Sequence, residues 1–195
     1  MRPRSILLLV LAIAFLLAAC AGNAPATKSS DGHPLPTLFP VIIPHATVQP
    51  YEVSGSTAPE IRTQLTAYGP GGNDAYTKWV VHWNWPGQGT AICRLQEAEV
   101  AYEITVTFPR WTPTEQATPA LVSKWNGYLY TLVLHESGHV TNVVSHIPAL
   151  MAAIKGSTCL SAEGAAQAVL QQIRQFDSQY DDQTDHGRTQ GARFP

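Results

Sequence analysis

The hydrophobic pattern of this chain changes period once, near Pro113, and that change limits the folds open to it. Before it, in "YTKWVVHWNW", Trp79, Val81, Trp83 and Trp85 fall on one face and Val80, His82 and Asn84 on the other. That is the period of two of a β-strand. The run "TAICRLQEAEVAYEITVTFP" behaves alike: Val100, Tyr102, Ile104, Val106 and Phe108 alternate with Ala101, Glu103, Thr105 and Thr107. It reads as a long strand or a hairpin, and Pro109 is expected to stop it. "YEVSG" adds a short strand, "PEIRTQLTAYG" a short helix with Ile61 and Leu65 four apart, and "GPGGND" a loop.

After Pro113 the spacing becomes three and four. Leu121, Trp125, Tyr128, Leu129, Leu132, His135, His139 and Val143 form one stripe, and Thr118 before Pro119 supplies an N-cap with proline at the first helical position. The spacing predicts a helix from Pro119 to about Ser145. Pro148 should kink or end it, and "ALMAAIKG" should form a further helical piece closed by Gly156. A last helix is expected from near Ser161 to about Tyr180, with Val169, Ile173, Phe176 and Tyr180 on its buried face. Strands first and helices afterwards point to an α+β domain.

The start of the chain reads differently. Arg2 and Arg4 precede the apolar run "ILLLVLAIAFLLAA", which is short for a bilayer span and ends at Cys20. That is a secretory signal over residues 1–19. "LAAC" resembles the lipobox of bacterial lipoproteins, and by that resemblance Cys20 becomes the lipidated N-terminus. Residues 20–47 hold five prolines, at positions 25, 34, 36, 40 and 44, and read as a tether whose apolar end, "LFPVII", lies against the domain. The domain itself is expected over 48–195. Loss of Arg2 and Arg4 moves the net charge from −2 to −4, and no basic patch appears, which excludes nucleic acid as a partner.

Cysteine usage agrees with export. With Cys20 lipidated, Cys93 and Cys159 remain as a pair in an oxidising compartment and are expected to form a disulfide. Two zinc thiolates would need the close Cys-x-x-Cys spacing that is missing here.

The chemistry is concentrated in "LVLHESGHVTNVVSH". On a helix His135 and His139 lie one turn apart on one face, so their imidazoles can close on one metal ion. Glu136 borders that ion, where it can take a proton from water and return it to a leaving amine. Three ionisable groups on the apolar face of a helix would be costly without compensation. A helix carrying satisfied histidines and a chance glutamate is the plainer alternative.

Two histidines leave a zinc ion short of a ligand. Metzincins place a glycine and a third histidine downstream, but the corresponding positions here are Asn142 and Ser145. His146 comes one residue late and, on a continuous helix, lies about 10 Å beyond His139 along the axis. It is expected to favour a helix C-terminus instead. The remaining candidates are Glu163, readable simply as a first-turn acid, and the cluster Asp177, Asp181, Asp182, Asp185 and His186.

The succession of "YEVSG", the Trp-rich strand, a cysteine, a long strand ending in proline, "HESGH", a second cysteine and "YDDQTDHGRTQGARFP" resembles a group of secreted zinc-dependent proteases first catalogued as a bacterial domain of unknown function. The resemblance covers about Tyr51 to Pro195. It implies His135 and His139 as zinc ligands, Glu136 as catalytic base and acid, and His186 as the match to the tail histidine and third ligand. The expected fold is zincin-like: an antiparallel or mixed sheet over the long motif helix and a second C-terminal helix. The expected protein is a lipid-anchored, extracytoplasmic zinc peptidase acting on peptides or proteins. Its rivals are a hydrolase of peptidoglycan cross-links and a non-catalytic envelope lipoprotein with a structural zinc. A structural site would be closed by four protein ligands and has no need of Glu136. The strand "WVVHWNW" could flank the cleft and pair with an extended substrate, although tryptophan-rich strands more often serve a core.

Overall fold

The computed structural model describes residues 41–195. The expected signal over 1–19, the lipid acceptor Cys20 and the tether as far as residue 40 lie outside the described residues. The apolar end of the tether meets the core through Ile43, which is buried.

Three strands form one mixed sheet: β1 (Thr47–Val53), β2 (Tyr76–Asn84) and β3 (Glu99–Trp111). β3 is central, parallel to β1 and antiparallel to β2, which leaves β2 on an edge. Thr77, Trp79, Val81 and Trp83 stand opposite Val106, Ile104, Tyr102 and Val100, so the two apolar sets read from the sequence share one face. Val81, Ile104, Val106 and Phe108 join a single core with Leu129, Leu132 and Val140 of the motif helix.

Contrary to expectation, Pro109 does not stop β3. β2 pairs with β3 only as far as Thr107, whereas β1 continues alongside, with Tyr51 opposite Pro109. The missing N–H therefore falls where the strand has one neighbour instead of two, a position in which proline is tolerated.

Helix α1 (Ala58–Tyr68) is capped by Thr57 and buries Ile61 and Leu65. Helix α2 (Pro119–Lys155) begins as predicted, the Thr118 Oγ1 accepting from the Leu121 N–H at 3.2 Å. It then runs for 37 residues without ending at Pro148. Proline removes one backbone hydrogen bond and crowds the preceding turn, but the turns beyond it bury Leu150 and Ile154 completely, and that burial outweighs the defect.

Helix α3 (Ala162–Thr184) packs back along α2 and buries Ala166, Val169, Leu170 and Ile173. The expected apolar face does not extend to Phe176, which is 43% exposed. From there on, polar residues of α3 take over the contact with α2. A single 3₁₀ turn, Arg188–Gln190, follows, and the tail then returns to the core: Phe194 is buried 5.4 Å from Trp125 and 5.2 Å from Tyr128. The predicted disulfide is present, Cys93 in the β2–β3 connection joined to Cys159 in the α2–α3 turn. Among the described residues no helix is long and apolar enough to cross a membrane.

Candidate metal centre

One turn of α2 presents His135 and His139 on its buried face, 2% and 7% exposed, with ring centroids 5.0 Å apart and planes at 90°. Their Nε2 atoms turn toward one point on α3. The Asp181 Oδ1 lies 3.2 Å from the Nε2 of His135 and 3.1 Å from that of His139. Among the described residues, His135, His139 and Asp181 form the group whose potential ligand atoms lie within 4.8 Å of one another.

The opposite nitrogens are held by other residues. The Nδ1 of His139 lies 2.9 Å from the Asp177 Oδ1, and the Nδ1 of His135 lies 3.1 Å from the Gln190 Oε1 and 3.5 Å from the Thr184 Oγ1. Acceptors at Nδ1 keep the proton there and leave the Nε2 lone pair for a cation, as in the histidine sites of metalloproteins. His139 stands between two carboxylates, yet a neutral imidazole has only one N–H to give. A cation between the Nε2 atoms and Asp181 would satisfy the donor set, and two imidazoles with one carboxylate suit zinc or a similar divalent ion. The residues fit the group that the sequence implied.

Electrostatics follow the packing. Burial pushes the His135 imidazole below its ordinary value, and the positive charge of a protonated His139 would add to the effect. Burial acts the same way on His139, but the hydrogen bond to Asp177 and the carboxylates of Glu136 and Asp181 outweigh it and hold that imidazole up. Glu136, 4% exposed, has its carboxyl pushed up by burial, against which the Thr77 Oγ1 donates to its Oε2 at 2.5 Å.

A cavity of about 430 Å³ opens over these groups, with Glu136, both histidines and the start of edge strand β2 in its wall. The loop before β2 is fixed by Asp74. That carboxylate pairs with Arg62 and accepts from the Tyr128 hydroxyl at 2.9 Å, while the Asp74 carbonyl accepts from the Tyr51 hydroxyl at 2.8 Å.

Two glycines allow the elements to close. A Cβ on Gly138, inside the motif, would lie 2.7 Å from the ring of Tyr180, which stacks on His135 at 4.9 Å. At Gly187, with φ of 82°, a Cβ would lie 2.9 Å from the His135 Cγ. The backbone of the tail therefore passes close against the His135 ring.

His186, the expected third ligand, adopts a left-handed conformation with φ of 52° and its side chain is 52% exposed. Its Nδ1 is 3.6 Å from the Asp181 Oδ1, in the wall of the cavity but outside the triad. His146 is not in the triad either. Because α2 continues, it does not end a helix, and its Nδ1 lies 2.8 Å from the Asn142 carbonyl. Glu163 is elsewhere, accepting from the Trp83 indole at 2.9 Å.

Asn142, Trp79, Thr77 and Gln190 carry no site role in the sequence pattern, and Asp177, one of the acidic candidates for third ligand, instead holds His139 from behind. Asp177 gathers two of these and His139: its Oδ1 accepts from Asn142 at 3.0 Å as well as facing His139, and its Oδ2 accepts from the Trp79 indole at 2.8 Å. One signal was available. Asp177 and Asp181 are spaced i, i+4 on α3, mirroring the histidines on α2.

A family model described as a bacterial protein of unknown function (DUF922) matches residues 48–187. The chain belongs to that family. The match to the DUF922 family runs from β1 to Gly187 and so contains the triad, Glu136, Asp177 and the tail as far as the glycine that touches His135. No curated protein and no solved structure matches the chain.

Proposed function

We propose that this protein is a zinc-dependent hydrolase of amide bonds in peptides, working outside the cytoplasm from a lipid anchor at Cys20. His135, His139 and Asp181 hold the metal. Asp181 is preferred to His186 as third ligand because its carboxylate is shared by both Nε2 atoms, whereas His186 is half-exposed. The observation that carries the reading is the pairing of two histidines, each anchored at Nδ1, with a buried glutamate that is not itself in the triad. A structural metal site would have no use for that glutamate.

When bound, zinc supplies Lewis acidity to a substrate carbonyl and to water. The protein does the rest. Thr77 holds the Oε2 of Glu136, leaving Oε1 to take a proton from the attacking water and pass it to the leaving amine. Burial raises the proton affinity of that carboxylate, which favours its uptake of the proton. β2 is an edge strand with its first residues in the cavity wall, so an extended peptide can add to it by main-chain hydrogen bonds.

The test is to incubate the zinc-loaded chain with mixed peptides and with cell-wall fragments, beside a Glu136→Gln variant. Peptide cleavage by the parent chain and none by a variant that keeps its zinc is expected. Cleavage of cell-wall fragments alone would move the substrate to peptidoglycan cross-links. An undiminished rate in the zinc-loaded variant would remove Glu136 from the mechanism.

A further inference from the structure

Arg174 lines the same cavity as His135, Glu136 and His139. Its guanidinium sits 5.7 Å from the centre of the Trp79 ring, and no ion pair among the described residues includes it. The nearest acid along the helix face, Asp177, is already committed. Its Oδ1 serves His139 and Asn142, and its Oδ2 serves the Trp79 indole. Arg174 is thus an always-charged fork of N–H donors, stacked on an aromatic ring that is itself hydrogen-bonded in place. It spans from α3 to edge strand β2, beside the path an extended chain would take.

We infer that Arg174, seated on Trp79, is a specificity-determining residue that binds a carboxylate of the substrate close to the bond to be cut. A guanidinium matches a carboxylate with two parallel hydrogen bonds, and stacking on Trp79 restricts the side chain before the substrate arrives, which lowers the ordering cost of binding. The substrate class is therefore a peptide carrying either a free C-terminal carboxylate or an acidic side chain near the scissile amide. This inference rests on the reading of the cavity as a peptide site, and its test does not depend on turnover.

The full chain carrying Glu136→Gln and loaded with zinc is titrated with two matched pairs of blocked tripeptides. One pair is acetyl-Ala-Ala-Ala as the free acid and as the amide; the other is acetyl-Ala-Glu-Ala-amide and acetyl-Ala-Gln-Ala-amide. Binding is followed by the NMR shift of the Trp79 indole N–H. In at least one pair the acid should bind roughly tenfold or more tightly than its neutral partner, the worth of a charge-assisted hydrogen bond. Which pair discriminates distinguishes a C-terminal carboxylate from a side-chain one. Arg174→Gln should abolish the preference without weakening the neutral peptides, and Arg174→Lys should restore part of it. Equal binding of acid and amide in both pairs overturns the inference. So does a preference that survives Arg174→Gln, which would assign the carboxylate to the metal. Loss of the preference in Arg174→Gln, in a protein that cleaves no peptide, would leave this inference standing and discard the hydrolase.

Discussion

A methyl group added at Gly138 should damage the metal centre far more than it damages the fold. In an exposed helix interior, Gly→Ala gains up to about 1 kcal/mol of helix propensity. At Gly138, however, the new Cβ would stand 2.7 Å from Cε1, Cζ and Oη of Tyr180, where ordinary contact begins at 3.4 Å, so the ring must retreat by about 0.7 Å. Overpacking of this kind costs roughly 1–3 kcal/mol, which leaves a net loss of about 0–2 kcal/mol when the full propensity gain is realised. The ring cannot move alone. It stacks on His135, meets His139 edge-on at 5.1 Å, and its hydroxyl accepts from Gln190 at 3.0 Å, the residue that also faces the His135 Nδ1. Zinc affinity, read by competition with a chelator, should fall by about tenfold or more, the usual scale for disturbing the groups that orient metal-binding histidines.

Gly127 provides the internal control. It lies on the same helix with nothing within 4 Å of its added Cβ. Gly127→Ala should therefore raise the melting temperature by about 2–4 °C per kcal/mol gained and leave zinc affinity alone. In a Tyr180→Ala background the clash is gone, and adding Gly138→Ala should no longer affect zinc. Wild-type zinc affinity in Gly138→Ala, or an equal loss with and without the Tyr180 ring, would mean that the Tyr180 ring does not position the histidines.

Asp177→Asn should weaken zinc about 10- to 100-fold with the fold intact, because an amide cannot accept from His139, Asn142 and Trp79 as the carboxylate does; Asp182→Asn, an exposed neighbour, should leave affinity unchanged in the same chelator titration. Replacing both Cys93 and Cys159 by serine opens a link across 66 residues and should lower the unfolding free energy in a denaturant titration by about 4 kcal/mol. Zinc affinity should be untouched, since neither cysteine lines the cavity.

Local periodicity carried most of the fold. The alternation around Trp79 to Trp85 and from Val100 to Phe108 became β2 and β3 with the expected faces, and the stripe from Leu121 to Val143 became α2. What local reasoning missed was decided by neighbours. Proline weakens an isolated element, so from the sequence Pro109 is a stop and Pro148 a kink or a stop; in the fold one sits beyond the end of a partner strand, and the other precedes turns that bury Leu150 and Ile154. The face of α3 was extended to Phe176 and Tyr180 as apolar, when the surface awaiting it on α2 was a pair of histidines that called for Asp177 and Asp181.

The candidate site divides in the same way. His135, Glu136 and His139 were legible because a single helix turn fixes their relation. Their partners come from three other elements: Thr77 from β2, Asp177 and Asp181 from α3, and Gln190 from the turn after it. No spacing within one element could reveal them, apart from the i, i+4 aspartates. The tail motif drew attention to His186, but its contribution in the structure comes through its neighbours, Gly187 against the His135 ring and Gln190 at its Nδ1.

Zinc content after dialysis decides whether His135, His139 and Asp181 bind a divalent metal. Four proteins are compared by elemental mass spectrometry: the parent chain, His139→Ala, Asp181→Ala and His186→Ala, each with its folding checked by melting temperature in excess zinc. One zinc per chain is expected in the parent and in His186→Ala, with severe loss in His139→Ala and Asp181→Ala. A folded parent chain that retains no zinc would leave the triad without a metal, and an Asp181→Ala protein that keeps it while His186→Ala loses it would move the third ligand to His186.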